Sequence, residues 1–301
     1  MTVRVGMTEE TTTAGPTGPL STAASGLRDL LFPPECPACR AETATADGLC
    51  ARCFADTQFL AGPACVQCAR PEPRLAAPDP DYRCDRCLAA PPAWDRAAAV
   101  ALYGGAMRRL VLGLKHGDRL DTVPLLARWM AASGAHLLRD ADLLVPIPLH
   151  WTRRLKRRFN QSAELARAVA REAGRAGDSA GHSAGHTTPV SAPDILRRIR
   201  RTASQEGRSR SERRLNMIGA LAVRPGAAAR VAGRHVVLID DVMTSGATLD
   251  AAASALRTAG AARVDALVIA LAKGREADYF PALTDGHAAP ATDPRREGDR
   301  P

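Results

Sequence analysis

Apolar and polar positions along this chain repeat with a period that changes from block to block, and the changes locate its elements. Residues Gly105 to Leu114 and Thr122 to Leu138 carry apolar side chains at helical spacing, with Lys115, His116, Gly117 and Asp118 between them as a polar turn. Asp142 to Pro148 is an apolar run closed by prolines, the pattern of a buried strand. Asn160 and Gln161 lead into a helix bearing Ala163, Leu165, Ala166, Val169 and Ala170. Ala220 to Val223 reads as a short strand, His235 to Asp241 as a longer one, Ala247 to Ala259 as an alanine-rich helix and Arg263 to Ala272 as a final strand. Strands alternating with helices in this way predict an α/β domain on a parallel sheet with right-handed crossovers.

The rest of the chain breaks these patterns. Residues 1–29 lack the apolar core of a secretory leader and are expected to be disordered. Residues 174–192 contain Gly-His-Ser-Ala-Gly-His and read as a flexible insertion rather than a metal site. Ile195 to Arg214 is arginine-rich, and residues 284–301 form a polar tail that is also expected to be disordered. The domains expected are therefore a cysteine-rich segment over 30–92 and the α/β domain over 93–283. No apolar run is long enough to span a bilayer, and a soluble, cytoplasmic protein is expected.

In a reducing compartment the eight cysteines call for metal. They form four Cys-x-x-Cys pairs, Cys36/Cys39, Cys50/Cys53, Cys65/Cys68 and Cys84/Cys87, separated by gaps of 10, 11 and 15 residues. A two-residue spacing lets both thiolates of a pair reach one tetrahedral Zn²⁺, so eight thiolates supply two closed, structural Cys₄ sites. An iron–sulfur cluster fits the gaps less well. Sequential ligation is favoured over a cross-brace, because each half has a short loop and its own proline-bearing entry, Pro34 and Pro63. Metal removal is expected to unfold residues 36–87 and spare the α/β domain.

The densest chemistry lies at Val236 to Thr248, where a four-residue apolar run ends in Asp240 and Asp241 and passes through Val242, Met243, Thr244, Ser245, Gly246, Ala247 and Thr248. Small residues let backbone N–H groups approach an oxyanion, three hydroxyls can donate to it, and the following helix points its positive end the same way. Paired carboxylates would repel a phosphate unless they face hydroxyls or a cation. The 2′- and 3′-hydroxyls of a ribose with Mg²⁺ meet that need, and one ligand carries every group: 5-phosphoribosyl-1-pyrophosphate, PRPP. The stretch resembles the PRPP signature of type I phosphoribosyltransferases and lacks the pattern of a nucleotide P-loop.

Charge adds an anionic partner to this picture. The formal charge is +9, yet residues 153–158 alone carry five cations, and residues 197–214 carry eight arginines against two glutamates. The first cluster follows the strand ending at Pro148, at the edge where open α/β sheets bind ligands, so Arg154, Arg157 or Arg158 is expected to neutralise departing pyrophosphate. The segment around Gln205 to Arg214 is expected to close over PRPP as a lid.

Four segments taken together resemble the ComF family. They are Tyr103-Gly-Gly-Ala-Met-Arg-Arg-Leu with Leu114-Lys115; Val145-Pro-Ile-Pro with Arg158-Phe159-Asn160-Gln161; Arg201-Thr202 with Gln205 and Ser211 to Asn216; and the Asp240–Thr248 motif. The resemblance spans roughly residues 30 to 273. It implies a double zinc ribbon ahead of a type I phosphoribosyltransferase fold, PRPP and Mg²⁺ binding, and a link to natural competence and DNA uptake. Single-stranded DNA or competence helicase-type proteins are the partners it suggests. Thr244 stands where transferases for 6-oxopurines carry an acid, which argues against purine salvage. Two functions stay open: phosphoribosyl transfer to an unidentified acceptor, with Asp240, Asp241 and Arg158 as catalytic residues, or a non-catalytic single-stranded nucleic-acid-binding or regulatory protein that senses PRPP.

Overall fold

The computed structural model describes residues 33–43, 48–116, 119–149, 159–179, 188–200, 217 and 219–272. From the N-terminus the described elements are helices α1 (Ala51–Ala55) and α2 (Asp85–Ala89), strand β1 (Ala97–Tyr103), α3 (Gly105–His116), a 3₁₀ turn over Leu120–Thr122, α4 (Val123–Ser133) and α5 (Ala135–Leu138). They continue with β2 (Leu143–Pro146), α6 (Gln161–Ser179), β3 (Val190–Ser191), β4 (Leu196–Arg198), β5 (Leu221–Val223), α7 (Ala228–Val231), β6 (His235–Met243), α8 (Ala247–Thr258) and β7 (Arg263–Ala272). Arg154, Arg157, Arg158 and the Gln205–Arg214 segment lie outside the described residues, as do the two terminal segments expected to be disordered.

Five parallel strands form the sheet in the order β1-β7-β6-β2-β3. Side chains alternate across β6, so Val236 and Leu238 enter one core while Val237 and Ile239 enter the other. The first core is covered by α8 and the antiparallel pair β4–β5, and the second by α3, α4 and α6. Helices on both faces explain why β6 and β7 read as near-continuous apolar runs. The strand order reverses between β2 and β6. Ligands of open parallel sheets bind at such a switch point, outside the carboxyl ends of the strands.

The structure departs from the periodic pattern at informative places. β1 has the sequence Ala-Ala-Ala-Val-Ala-Leu-Tyr, a run of small residues without a readable period; it is a strand because β7 offers it a full parallel ladder. The single helix expected over Thr122–Leu138 is broken at Gly134, where a Cβ would lie 2.8 Å from the Leu267 side chain. Lys115 and His116 belong to the last turn of α3 rather than to a polar turn. The 174–192 insertion is narrower than expected, since α6 runs through Ser179 and Val190–Ser191 pairs with β2.

The cysteine-rich segment folds as two related ribbons. Around Cys36 and Cys65 the same bonds recur: Arg40 N–H to the Cys36 carbonyl and Ala69 N–H to the Cys65 carbonyl, both 2.8 Å. Among the described residues Arg40 and Ala69 are also the two non-glycine residues with positive φ, at 67° and 55°, which turns each knuckle back on itself. The thiols gather as Cys36, Cys39, Cys50 and Cys53 and as Cys65, Cys68, Cys84 and Cys87, all within 4.8 Å of one another in each group. Ligation is therefore sequential. Cys39 and Cys50 stand 3.7 Å apart, as do Cys68 and Cys84, close to the roughly 3.8 Å edge of a tetrahedron with Zn–S bonds of about 2.3 Å. Two structural zinc ions fit these groups.

The ribbons are joined to the sheet, contrary to the separable segment expected from composition. Leu60 N–H donates to the Val100 carbonyl and Leu102 N–H to the Gln58 carbonyl, both at 2.9 Å, so residues 58–60 run along β1 and close its edge. Phe59 meets Trp129 of α4 edge-on at 5.2 Å. Arg109 of α3 donates to Asp56 at 2.9 Å and to the Cys53 sulfur at 3.4 Å. Gly105 has φ +47°, and a Cβ there would fall 2.2 Å from the Asp56 carbonyl.

At the opposite, N-terminal end of the central strands, Asp265 is fully buried and answered by three cationic side chains. Its carboxylate meets His235 Nε2 at 3.0 Å and Arg263 at 2.9 Å, while Arg96 gives a backbone bond of 3.1 Å and places its side chain 3.7 Å away. Burial opposes the charged imidazole of His235, but Asp265 and the Asp140 carbonyl outweigh it and hold its pKa above the ordinary value. Such a histidine adds stability that is complete below its unfolded pKa and is lost as pH rises through the folded one.

Two outcomes are expected. Asp265→Ala strands three cations and should cost about 3–5 kcal/mol in urea unfolding; it should also remove the decline of wild-type stability as pH rises through the histidine range. The purified chain should hold two zinc ions by elemental analysis. Because the ribbons close β1, chelation should lower the melting temperature of the α/β domain too; a domain melt indifferent to chelator would show that the edge contacts do not matter.

Candidate functional site at the carboxyl end of the central strand

β6 runs two residues further than its apolar pattern predicts, through Met243, and so carries both carboxylates to the carboxyl edge of the sheet. Asp240 accepts from the Ser162 hydroxyl at 3.2 Å and from the Asp241 amide at 2.9 Å. Asp241 pairs with Lys115 Nζ at 2.8 Å, and both side chains are mostly buried. Asp240 keeps some exposure as a residue, but its carboxyl group is surrounded by protein. That burial, with the neighbouring charge of Asp241, pushes its pKa up to about 7 against the opposing effects of the Asp241 amide, Lys115 and Ser162. The pair is thus short of positive charge, and a hydroxyl-rich or cationic ligand would complete it.

The sequence motif continues as a turn into α8. Gly246 takes φ +80° and sits at the N-cap, a left-handed conformation that glycine adopts without strain. Its Cα also faces Trp94 so closely that a Cβ would be 2.7 Å from the indole edge. Asp250 accepts from the Ala93 amide at 2.8 Å, which ties the one carboxylate in the first turn of α8 to the chain leaving the second ribbon. Amides at the start of α8 have no intrahelical acceptor, and Ser245 Oγ reaches only that of Ala247, at a long 3.4 Å. Thr244 is exposed while Ser245 and Thr248 are half-buried, so the turn presents hydroxyls and amides at the strand end.

The Arg-Phe-Asn-Gln segment approaches from β2. Asn160 donates to the Ile147 carbonyl at 3.3 Å, and its backbone carbonyl accepts from Ala163 and Glu164 to start α6. Gln161 and Ser162 are buried in that first turn. The structure therefore brings together Asp240, Asp241 and the Val242–Thr248 turn. Arg154, Arg157 and Arg158 lie outside the described residues, in the stretch 150–158 that follows Leu149, three residues past β2, and precedes Phe159. Lys115 and Ser162 were not among the residues assigned to the site from sequence. Lys115 carried a signal as part of the Leu114-Lys115 pair in the ComF resemblance, with no role attached to it; Ser162 carried none.

Comparison with known proteins agrees with this architecture. The chain matches the double zinc ribbon domain over residues 27–88 and the phosphoribosyl transferase domain over residues 160–282. It is 31% identical over 241 residues to the DNA utilization protein YhgH of Escherichia coli, covering 78% of this chain and 96% of the relative. The protein of the same name from Salmonella typhimurium is 33% identical over 235 residues, covering 73% and 95%. Competence protein F of Haemophilus influenzae is 26% identical over 221 residues, covering 71% and 86%. No described helix is long and apolar enough to cross a membrane. A ribbon pair, a phosphoribosyltransferase-like sheet and relatives matched over almost their whole length place this chain in the ComF family.

Proposed function

We propose that the chain is a cytoplasmic, PRPP-binding phosphoribosyltransferase of ComF type that transfers the phosphoribosyl group, with Mg²⁺, to an unidentified acceptor, in a role linked to DNA uptake. The observation that carries this reading is the meeting of Asp240, Asp241, Lys115 and Ser162 at the carboxyl end of β6, directly before a glycine-capped helix start. The amides and hydroxyls of Thr244–Thr248 suit a 5′-phosphate, and the paired carboxylates suit the ribose hydroxyls. Magnesium would be held on the pyrophosphate side with help from Asp240 and Asp241, where its charge offsets that of the leaving group. Displacement of pyrophosphate at ribose C1 passes through a transition state with oxocarbenium character, so fixing the sugar and neutralising the departing anion supply most of the acceleration. Arg154, Arg157 or Arg158 is assigned that neutralising role, with Arg158 as the catalytic contact.

A DNA-binding role is favoured by one further observation, that the YhgH relatives are named for DNA utilization and the Haemophilus influenzae relative for competence. The basic clusters at 153–158 and 197–214 are the surfaces such binding would use. Affinity for single-stranded DNA should then fall steeply with salt, and replacing Arg153, Arg154 and Arg157 by alanine should flatten the slope. An unchanged slope would remove DNA from this cluster.

Calorimetric titration with PRPP and Mg²⁺ tests the main reading. Asp240→Asn and Asp241→Asn should each weaken PRPP about tenfold or more, a loss of about 1.4 kcal/mol or greater. Asp240→Asn should leave the melting temperature unchanged, since it relieves repulsion within the pair, whereas Asp241→Asn leaves the mostly buried Lys115 without its partner and should lower it, so its affinity is measured well below its own melt. Ionised Asp240 is the binding form, so affinity should rise between pH 6 and pH 8, through its pKa of about 7, and level off above; Asp240→Asn should flatten this rise. Wild-type protein that gives no heat with PRPP, or a double Asn variant that binds it equally well, would sink the proposal.

A further inference from the structure

The turn after β6 has a neighbour outside the transferase-like domain. Between the second ribbon and the turn lies a crevice of about 30 Å³, whose lining includes Cys68, Arg86, Cys87, Trp94, Thr244 and Ser245. Arg86 occupies α2, between the ligand thiols Cys84 and Cys87. Its Nε is buried and has no hydrogen-bond partner among the described residues. A desolvated guanidinium N–H without an acceptor is costly, and an incoming oxyanion would remove that cost. The crevice has room for about two water-sized atoms, which suits phosphoryl oxygens rather than a sugar or a base.

Trp94 fixes the distance between these parts. Its indole N–H donates to the carbonyl of Gln67 at 2.6 Å, inside the Cys65–Cys68 knuckle, while the far edge of the ring lies against Gly246. Trp94 is 5% exposed, and the adjacent Ala93 amide holds Asp250 of α8. One buried ring thus spans from the zinc knuckle to the N-cap of the phosphate turn. Displacing the knuckle would displace the floor under Gly246.

We infer that the second zinc ribbon is a working part of the phosphate site, with Arg86 contacting a phosphoryl group seated on residues 244–248 and Trp94 as a positioning residue that holds ribbon and turn together. This rests on the reading of that turn as the phosphate seat of the PRPP site. The phosphoryl group has two sources, the 5′-phosphate of PRPP or the phosphate of a second ligand, and the experiment separates them.

Wild type, Arg86→Gln and Arg86→Lys are titrated with PRPP, with ribose 5-phosphate and, after saturation with PRPP, with inorganic phosphate, and zinc content and melting temperature are followed for each. A 5′-phosphate contact predicts at least tenfold weaker PRPP and ribose 5-phosphate binding in Arg86→Gln, partial recovery in Arg86→Lys, and two zinc ions in both. Loss confined to inorganic phosphate on the PRPP-loaded protein assigns the same contact to a second ligand. Unchanged affinity for all three probes overturns the role of Arg86. Trp94→Ala should weaken PRPP while retaining both zinc ions, and Trp94→Phe, which keeps a ring against Gly246, should recover most of the affinity; equal affinity in Trp94→Ala overturns the positioning role. Should wild type ignore PRPP but take up inorganic phosphate, the PRPP reading falls and Arg86 is judged on phosphate alone. Wild type that binds neither probe ends both.

Discussion

Two adjacent carboxylates at the end of a central parallel strand repel each other, and the surrounding structure is organised around that repulsion. Lys115 neutralises Asp241 from the last turn of α3, while Ser162 and a backbone amide solvate Asp240 without neutralising it. The outcome is asymmetric. One carboxylate is paired and the other is held near its protonation point by burial and by its neighbour. A site left one positive charge short at the switch point of the sheet is prepared for a ligand that brings hydroxyls and a cation.

The asymmetry depends on helices placed on both sides of the sheet. α3 can present Lys115 only because it is anchored at its other end, where Ala106 packs with Cys36 and Cys53 and Arg109 bonds Asp56. The first ribbon therefore holds the start of the helix whose last turn supplies the counter-charge. The second ribbon reaches the turn after β6 through Trp94. Ribbons so placed close the β1 edge of the domain, and zinc bound by four thiolates in each would act by fixing thiol geometry rather than by chemistry, since four protein ligands would leave no open position.

The buried Asp265 cluster plays a comparable part at the other end of the same strands. Its carboxylate joins β7 to β6 through His235 and to the residue before β1 through Arg96, so three neighbouring strands share one anion. Paired buried charges add little net stability but fix the register at which strands must meet. In parallel strands of near-uniform Val, Ile, Leu and Ala, where a slipped pairing would bury nearly the same surface, that constraint matters.

Much was legible in sequence because it is local. Cysteine spacing alone pairs thiols onto shared ions, a two-residue gap being the reach of one tetrahedral site, and the four pairs ligate sequentially as the short loops suggest. The period of β6 and β7, the helix after the glycine turn and the Asp-Asp motif are each written within a dozen residues. Tertiary structure alone decided what comes from far along the chain. Ser162 lies 78 positions before the carboxylate it serves, Trp94 meets a carbonyl 27 positions earlier, and Ala93 bonds an aspartate 157 positions later. β1, an alanine run with no period of its own, became a strand because β7 had an open ladder, and Lys115, polar at the end of an apolar stretch, became a site residue because the fold of α3 delivers it to Asp241. Periodicity and motif record what a segment can become on its own; which distant group meets it is set by the packing of the whole, which no window of the sequence contains.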